Sequence, residues 1–151
     1  MAKTWVLTGS PDNFEATRER GFRLIGVKER KRAMAERIEV GDEIVLYLTQ
    51  TQAFVGIIRV TSEMFEGHEK VWPGKPGKRD EYPWRFQTEP VLVLDEETFV
   101  PAEDIALELE HVRKWPAEHW KLAFQGQLRT VSEADAKLLG ERLRAAAPAA
   151  A

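Results

Sequence analysis

The chain has 151 residues, 43% apolar and 31% charged, the proportions of one globular domain long enough to bury a core without a metal or a disulfide. Cysteine is absent, which excludes disulfide frameworks, cysteine nucleophiles and thiolate zinc sites, and with no secretory leader in view this points to the cytoplasm. No apolar run approaches the roughly 18 to 20 residues of a membrane span, and mean hydropathy is −0.41.

The net charge of −3 argues against a protein that coats nucleic acid through bulk positive charge, but the charge is unevenly distributed. Residues 1–85 hold 15 Lys/Arg against 13 Asp/Glu, and residues 86–151 hold 7 against 12. The basic half is the better place to look for an anionic partner.

In chain order, Trp5-Val6-Leu7 predicts a strand over residues 3–8, stopped by Gly9-Ser10-Pro11. Ser10 before Pro11 is a helix start, because the hydroxyl caps free amides and proline fits the first helical position, so a helix is expected from Pro11 to Arg20. Residues 28–37 are highly charged with a thin apolar stripe, which predicts a surface helical turn or two. A turn at Val40-Gly41-Asp42-Glu43 leads into Ile44-Val45-Leu46-Tyr47-Leu48, a continuous apolar run expected of a strand buried on both faces. It forms a hairpin with residues 53–61, in which Gly56 marks a bulge or a close approach to the backbone.

Residues 66–81, rich in Gly, Pro and Lys, form a long loop, and a loop of that length inside a small domain is a candidate binding element. Tyr82 to Leu94 resumes a strand pattern, with Pro83 and Pro90 marking its edges or a bend. The remainder reads as helices over 101–110, 116–124 and 132–146, the last opened by Ser132 and Asp135 in the manner of a capping box. The expected organisation is α+β: a single domain over residues 1–144 and a disordered Ala-rich tail over 145–151.

Among residue types that carry chemistry, His68, His111 and His119 lack metal-ligand spacing, so no metal and no cofactor are expected. Neither a nucleophile elbow nor a phosphate-binding loop of the P-loop type is present. Trp72, in the long loop, and Trp84, beside it, are flanked by Lys70, Lys75, Lys78, Arg79 and Arg85. Aromatic faces stack on bases while neighbouring cations meet the flanking phosphates, a combination suited to one captured nucleotide. Packing in a core is the competing role for each tryptophan.

The motifs Trp5-Val6-Leu7-Thr8-Gly9-Ser10-Pro11-Asp12-Asn13-Phe14, Gly26-Val27, Val40-Gly41-Asp42-Glu43-Ile44-Val45-Leu46-Tyr47 and residues 54–63, in this order and spacing, resemble the EVE domain in its small UPF0310-like form. Tyr82-Pro83-Trp84-Arg85 resembles that family's Tyr-Pro-aromatic-Arg strand, and residues 120–129 its late Trp, Phe-x-Gly and Arg segment. The likeness covers about residues 4–144.

The resemblance implies a PUA-like fold, a small curved mixed β-barrel of five to six strands with surrounding helices, related to the YTH domains that read methylated adenine in RNA. It implies a non-enzymatic module that captures a modified nucleobase, methylated or hydroxymethylated (5-methylcytosine is one such base), in DNA or RNA. Trp72 falls where a YTH cage tryptophan lies, and Lys28 stands where another cage aromatic follows Gly26-Val27. On this reading Trp72, Thr8, Ser10, Asn13, Gly26, Val27, Lys28, Trp84 and Arg85 are the expected ligand-binding residues, and Arg30, Lys75, Lys78 and Arg79 the expected phosphate contacts. Gly26-Val27-Lys28 also resembles the start of the ASCH motif, which implies as an alternative a nucleoside amidohydrolase with Thr8 as nucleophile, Lys28 as base and Glu63 as its partner. A protein interaction module, suggested by the acidic pI, is the third reading.

Overall fold

A computed structural model describes residues 2–73, 81–124 and 126–147. Among the described residues, eight strands form one mixed sheet whose main path runs β2-β6-β4-β3-β1-β8, with two-residue strands added at its flanks. Strand β1 (Thr4–Gly9) leads into helix α1 (Pro11–Glu19), and β2 (Leu24–Val27) into a 3-10 turn over Glu29–Lys31 and the single turn α2 (Arg32–Ala35). The hairpin of β3 (Glu43–Leu48) and β4 (Ala53–Val60) follows, then β5 (Phe65–Glu66) and the long β6 (Trp84–Val93). After β7 (Val100–Pro101) come the short α3 (Ala102–Ile105), three 3-10 segments, β8 (Leu128–Val131) and α4 (Glu133–Ala146). The sheet curls into a half-barrel with helices packed on it, the expected α+β architecture with six strands on the main path.

The β1–β3 pair is parallel, which requires the intervening α1–β2–α2 crossover, and every other pair among the described residues is antiparallel. Because successive side chains alternate, Ile44, Leu46 and Leu48 face the core inside the curl with Trp5, Ile25, Ile58 and Phe86, while Val45 and Tyr47 face a second core with Phe54, Leu139 and Leu143. That two-sided burial explains the unbroken apolar run of β3. The pairing of β3 with β4 shifts register between Leu46 and Tyr47, leaving Val55 extra, so the inner face of β4 changes from Ala53 and Val55 to Ile58 and Val60. Gly56 sits at this bulge, and a Cβ there would lie 2.8 Å from the carbonyl oxygen of Leu92. On β6, Pro90 pairs with Ile58 beside a second shift, so the proline lies at a bend of the strand.

Ser10 and Ser132 cap α1 and α4 as expected, each accepting the amide of the residue three further on, at 3.2 Å. Asp135 does not complete a capping box. Its buried carboxylate instead accepts the amides of Glu110 and His111 at 2.8 and 3.0 Å. The helix expected over 101–110 is one α-turn, Ala102–Ile105, continued as a 3-10 turn over Ala106–Glu108, and the two amides held by Asp135 lie just beyond it. Strand β8 is among the elements that sequence patterning does not mark, since four residues with little alternation become a strand only through their pairing with β1. No helix among the described residues is long and apolar enough to cross a membrane.

Candidate functional site

The ends of β1 and β2 lie at the same end of the half-barrel, and between them opens a cleft of about 580 Å³. Its walls include Thr8, Gly9, Ser10 and Asn13 from the β1–α1 junction, Lys28 and Arg30 after β2, Tyr47 and Thr49, and Lys121, Phe124, Gly126 and Gln127 from the segment before β8. Among the described residues, three cations therefore stand around it, from two separate parts of the chain. The cleft continues into a narrow, mostly apolar slot floored by Gly26 and walled by Leu7, Tyr47, Trp72 and Tyr82, with Thr8, Asn13 and Gln127 shared between the two.

Trp72 packs deep in this slot and is only 5% exposed. Its indole N–H donates to Thr17 Oγ1 at 2.9 Å, and its ring meets Tyr82 edge-on at 5.6 Å between centroids. A Cβ on Gly26 would fall 2.5 Å from the Trp72 ring, so the indole can lie against β2 only because residue 26 has no side chain. Tyr82 closes the slot toward the cleft: Asn13 Nδ2 donates to its hydroxyl at 2.8 Å, and Lys28 Nζ lies 5.7 Å from its ring centre. About 50 Å³ remains free in the slot, room for little more than water.

The turn that forms the opposite wall is tied down from several sides. Thr8 donates its hydroxyl to the carbonyl of Gly126 at 2.5 Å, and its amide donates to the carbonyl of Gln127 at 2.8 Å. Arg129 donates to the carbonyls of Ala123 and Gly126 and lies 3.1 Å from His111 Nε2. Burial holds the Arg129 guanidinium below its usual range, with a smaller opposing pull from Tyr47. Burial likewise pushes the Tyr47 hydroxyl up to about 12, against the attraction of Arg129. His111 is held below its ordinary value, first by burial and further by Arg129 and Lys114, against the opposing hydrogen bond to the Ala123 carbonyl.

Of the residues expected at the site, Thr8, Asn13 and Gly26 line the slot with Trp72, and Ser10, Lys28 and Arg30 line the cleft. Ser10 is also the cap of α1. Val27, Trp84 and Arg85 lie outside this lining, for reasons of strand alternation. Val27 and Trp84, paired across β2 and β6, both point into the inner core. There Trp84 donates to Glu29 at 2.5 Å beneath the Arg32 guanidinium, 4.2 Å from its ring centre. Arg85 points to the other face, where it is buried, donates to the carbonyls of Tyr82 and Glu69, and lies 5.2 Å from the Trp72 ring centre. It anchors the segment that carries Trp72. Burial, more than any neighbouring charge, lowers its guanidinium below the usual range.

Lys75, Lys78 and Arg79 lie outside the described residues. Glu63 is exposed and does not line the cleft, so the trio invoked for hydrolysis is not brought together. Tyr82, Tyr47, Lys121 and Gln127 are lining residues that sequence reasoning did not select. Tyr82 heads the Tyr-Pro-aromatic-Arg motif, and that motif was the one signal pointing to it.

A UPF0310 protein of Pyrococcus horikoshii is 24% identical to this chain over 149 residues, spanning 92% of this chain and 97% of that one. Among solved structures, the YTH domain of Zygosaccharomyces rouxii MRB1, in complex with N6-methyladenosine RNA, superposes with a TM-score of 0.65 at 12% identity, over 95% of this chain and 87% of that one. The mmi1 YTH domain in an RNA complex gives 0.65 at 10% identity, over 95% and 83%. These likenesses are of fold. The EVE domain model matches residues 3–141, from the first strand into the last helix, and with the half-barrel and the β1–β2 cleft in place the chain belongs to the EVE domain family.

Proposed function

We propose that this protein is a non-enzymatic module that captures a single modified nucleobase of DNA or RNA, methylated or hydroxymethylated, of which 5-methylcytosine is one example. The observation that carries this reading is the pairing of an aromatic slot, built by Trp72 and Tyr82 over Gly26, with a cleft bordered by Lys28, Arg30 and Lys121. An extruded base loses its stacking, at a cost of a few kcal/mol, and aromatic contact with hydrogen bonds to its edge offsets that loss. The cations contribute by meeting the flanking phosphates, which positions the strand without reading it. Two structural relatives of the same fold were solved with RNA, one of them carrying N6-methyladenosine. With about 50 Å³ free in the slot, entry of a ring requires its lining side chains to move, Tyr82 with its hydrogen bond to Asn13 among them.

Titration of the protein with modified and unmodified oligonucleotides, followed by tryptophan fluorescence, tests the reading. A response confined to one modified base is the expected result, and an equal or absent response to all of them removes the proposal. Trp72→Ala is expected to cost about 1–3 kcal/mol of binding. Trp72→Phe, which keeps an aromatic ring in the packed loop, is expected to lose less, and full affinity in both variants would remove Trp72 from the site.

A protein interaction module without a nucleic-acid partner predicts no systematic salt effect. If phosphates are bound by Lys28 and Arg30, Lys28→Ala and Arg30→Ala each flatten the slope of log K against log salt by about 0.7 for a single strand. Unchanged slopes in both variants would exclude these two residues as phosphate contacts.

A further inference from the structure

The main path of the sheet ends at β2 on one side and β8 on the other, and those two edge strands are not paired with each other. Gln127, the residue before β8, bridges them at the cleft. Its Oε1 accepts the amide of Lys28 at 2.8 Å, and its Nε2 faces the carbonyl of Gly26 at 3.5 Å. Gly26 sits opposite Arg85 of β6, but Arg23 O accepts the amide of Thr88 at 2.9 Å. By antiparallel alternation residues 23, 25 and 27 therefore turn their N–H and C=O groups to β6, while residues 26 and 28 turn theirs to the outer edge of β2, toward this side chain.

The first bond settles the orientation of the amide, because a backbone N–H can only donate and must face the oxygen. The NH2 group is thereby fixed on the other side. It has two hydrogens, and its one acceptor among the described residues is Gly26 O, at a length near the limit for a hydrogen bond. Gln127 is only 8% exposed, and it lines both the slot and the cleft. A buried, orientation-locked donor with unspent capacity in a ligand-sized opening calls for an acceptor.

We infer that Gln127 Nε2 donates to a ring acceptor of the captured base and so selects an acceptor edge over a protonated one. This rests on the base-capture reading above and adds to it a specificity-determining residue. A site with a fixed donor discriminates strongly, since a base presenting N–H at that point leaves two donors facing each other.

The test uses two short single-stranded DNAs identical except for a central 5-methylcytosine or thymine. These bases share the 5-methyl group and differ in whether the ring N3 accepts or donates. The wild-type protein is expected to favour the 5-methylcytosine strand by about tenfold or more. At pH 8, Gln127→Glu keeps an oxygen for the Lys28 amide but replaces the donor with a charged acceptor, and the preference should vanish or reverse. Gln127→Met, which removes both groups, should abolish the preference without reversing it. Equal wild-type binding of the two strands, or an unchanged preference in Gln127→Glu with an unchanged melting temperature, overturns the inference while leaving base capture standing. Failure of the wild-type protein to bind either strand overturns this inference together with the 5-methylcytosine form of the proposed function, which the wider oligonucleotide panel then judges.

Discussion

Gly26→Ala is expected to weaken binding by about tenfold or more while leaving the protein folded. The added methyl would stand 2.5 and 2.9 Å from two carbons of the Trp72 ring and 2.7 Å from the Cβ of Tyr82, all closer than real side chains approach. Neither β2 nor its partner β6 can yield easily, because Ile25 and Val27 are buried beside residue 26 and both strands belong to the central sheet. The loop carrying Trp72 must therefore move outward, and the slot loses its wall. Overpacking of this kind costs about 1–3 kcal/mol of stability, within the 5–15 kcal/mol that a domain of this size typically has. Binding should fall by about tenfold or more, since stacking of a base on an aromatic ring is worth about 1–3 kcal/mol. Fluorescence should show the indole passing to a more polar environment, and the same oligonucleotide titration should show the weaker binding. Wild-type affinity in Gly26→Ala would place the ligand elsewhere on the surface.

The second large effect concerns stability, at Asp42→Ala. Asp42 is fully buried, and its carboxylate accepts three N–H groups: the amide of Lys3 at 2.8 Å, the indole of Trp5 at 2.9 Å and the amide of Glu39 at 2.9 Å. One side chain thus ties the start of β1, the largest core residue of that strand and the turn before β3. Alanine leaves three buried or half-buried donors without an acceptor, each costing about 1–3 kcal/mol, so a total loss of about 3–5 kcal/mol is expected once the structure relaxes. A urea melt should show the midpoint falling with little change in slope. Asp42→Asn keeps one oxygen and should fall between the two proteins. A midpoint in Asp42→Ala indistinguishable from wild type would contradict the role assigned to this carboxylate.

These two positions also mark how far the sequence is legible. The turn around Asp42 is plain from Val40-Gly41-Asp42-Glu43, but a turn aspartate is usually solvated, and nothing in its neighbours announces that it faces Trp5, 37 residues away in the chain. Gly26 stands out through its motif. Its reason, the approach of an indole from residue 72, depends on a loop with no periodicity of its own. Trp84 and Arg85 sit next to Trp72 in composition, yet strand alternation sends one into the core and the other behind the loop.

Local chemistry by itself determined the elements whose signals lie within a few residues: the Ser10-Pro11 start of α1, the doubly buried β3, the hairpin to β4 and the bend at Pro90. It also determined the family, because several motifs kept in order constrain a fold more than any one of them. Only the tertiary structure decided which side chains share the cleft. Gln127, Tyr82, Thr8 and Lys28 meet there because the curl of the sheet brings its two edges, β2 and β8, to one mouth, and Tyr82 precedes the strand that pairs with β2. That closure depends on the summed twist of six strands and on no local run of residues.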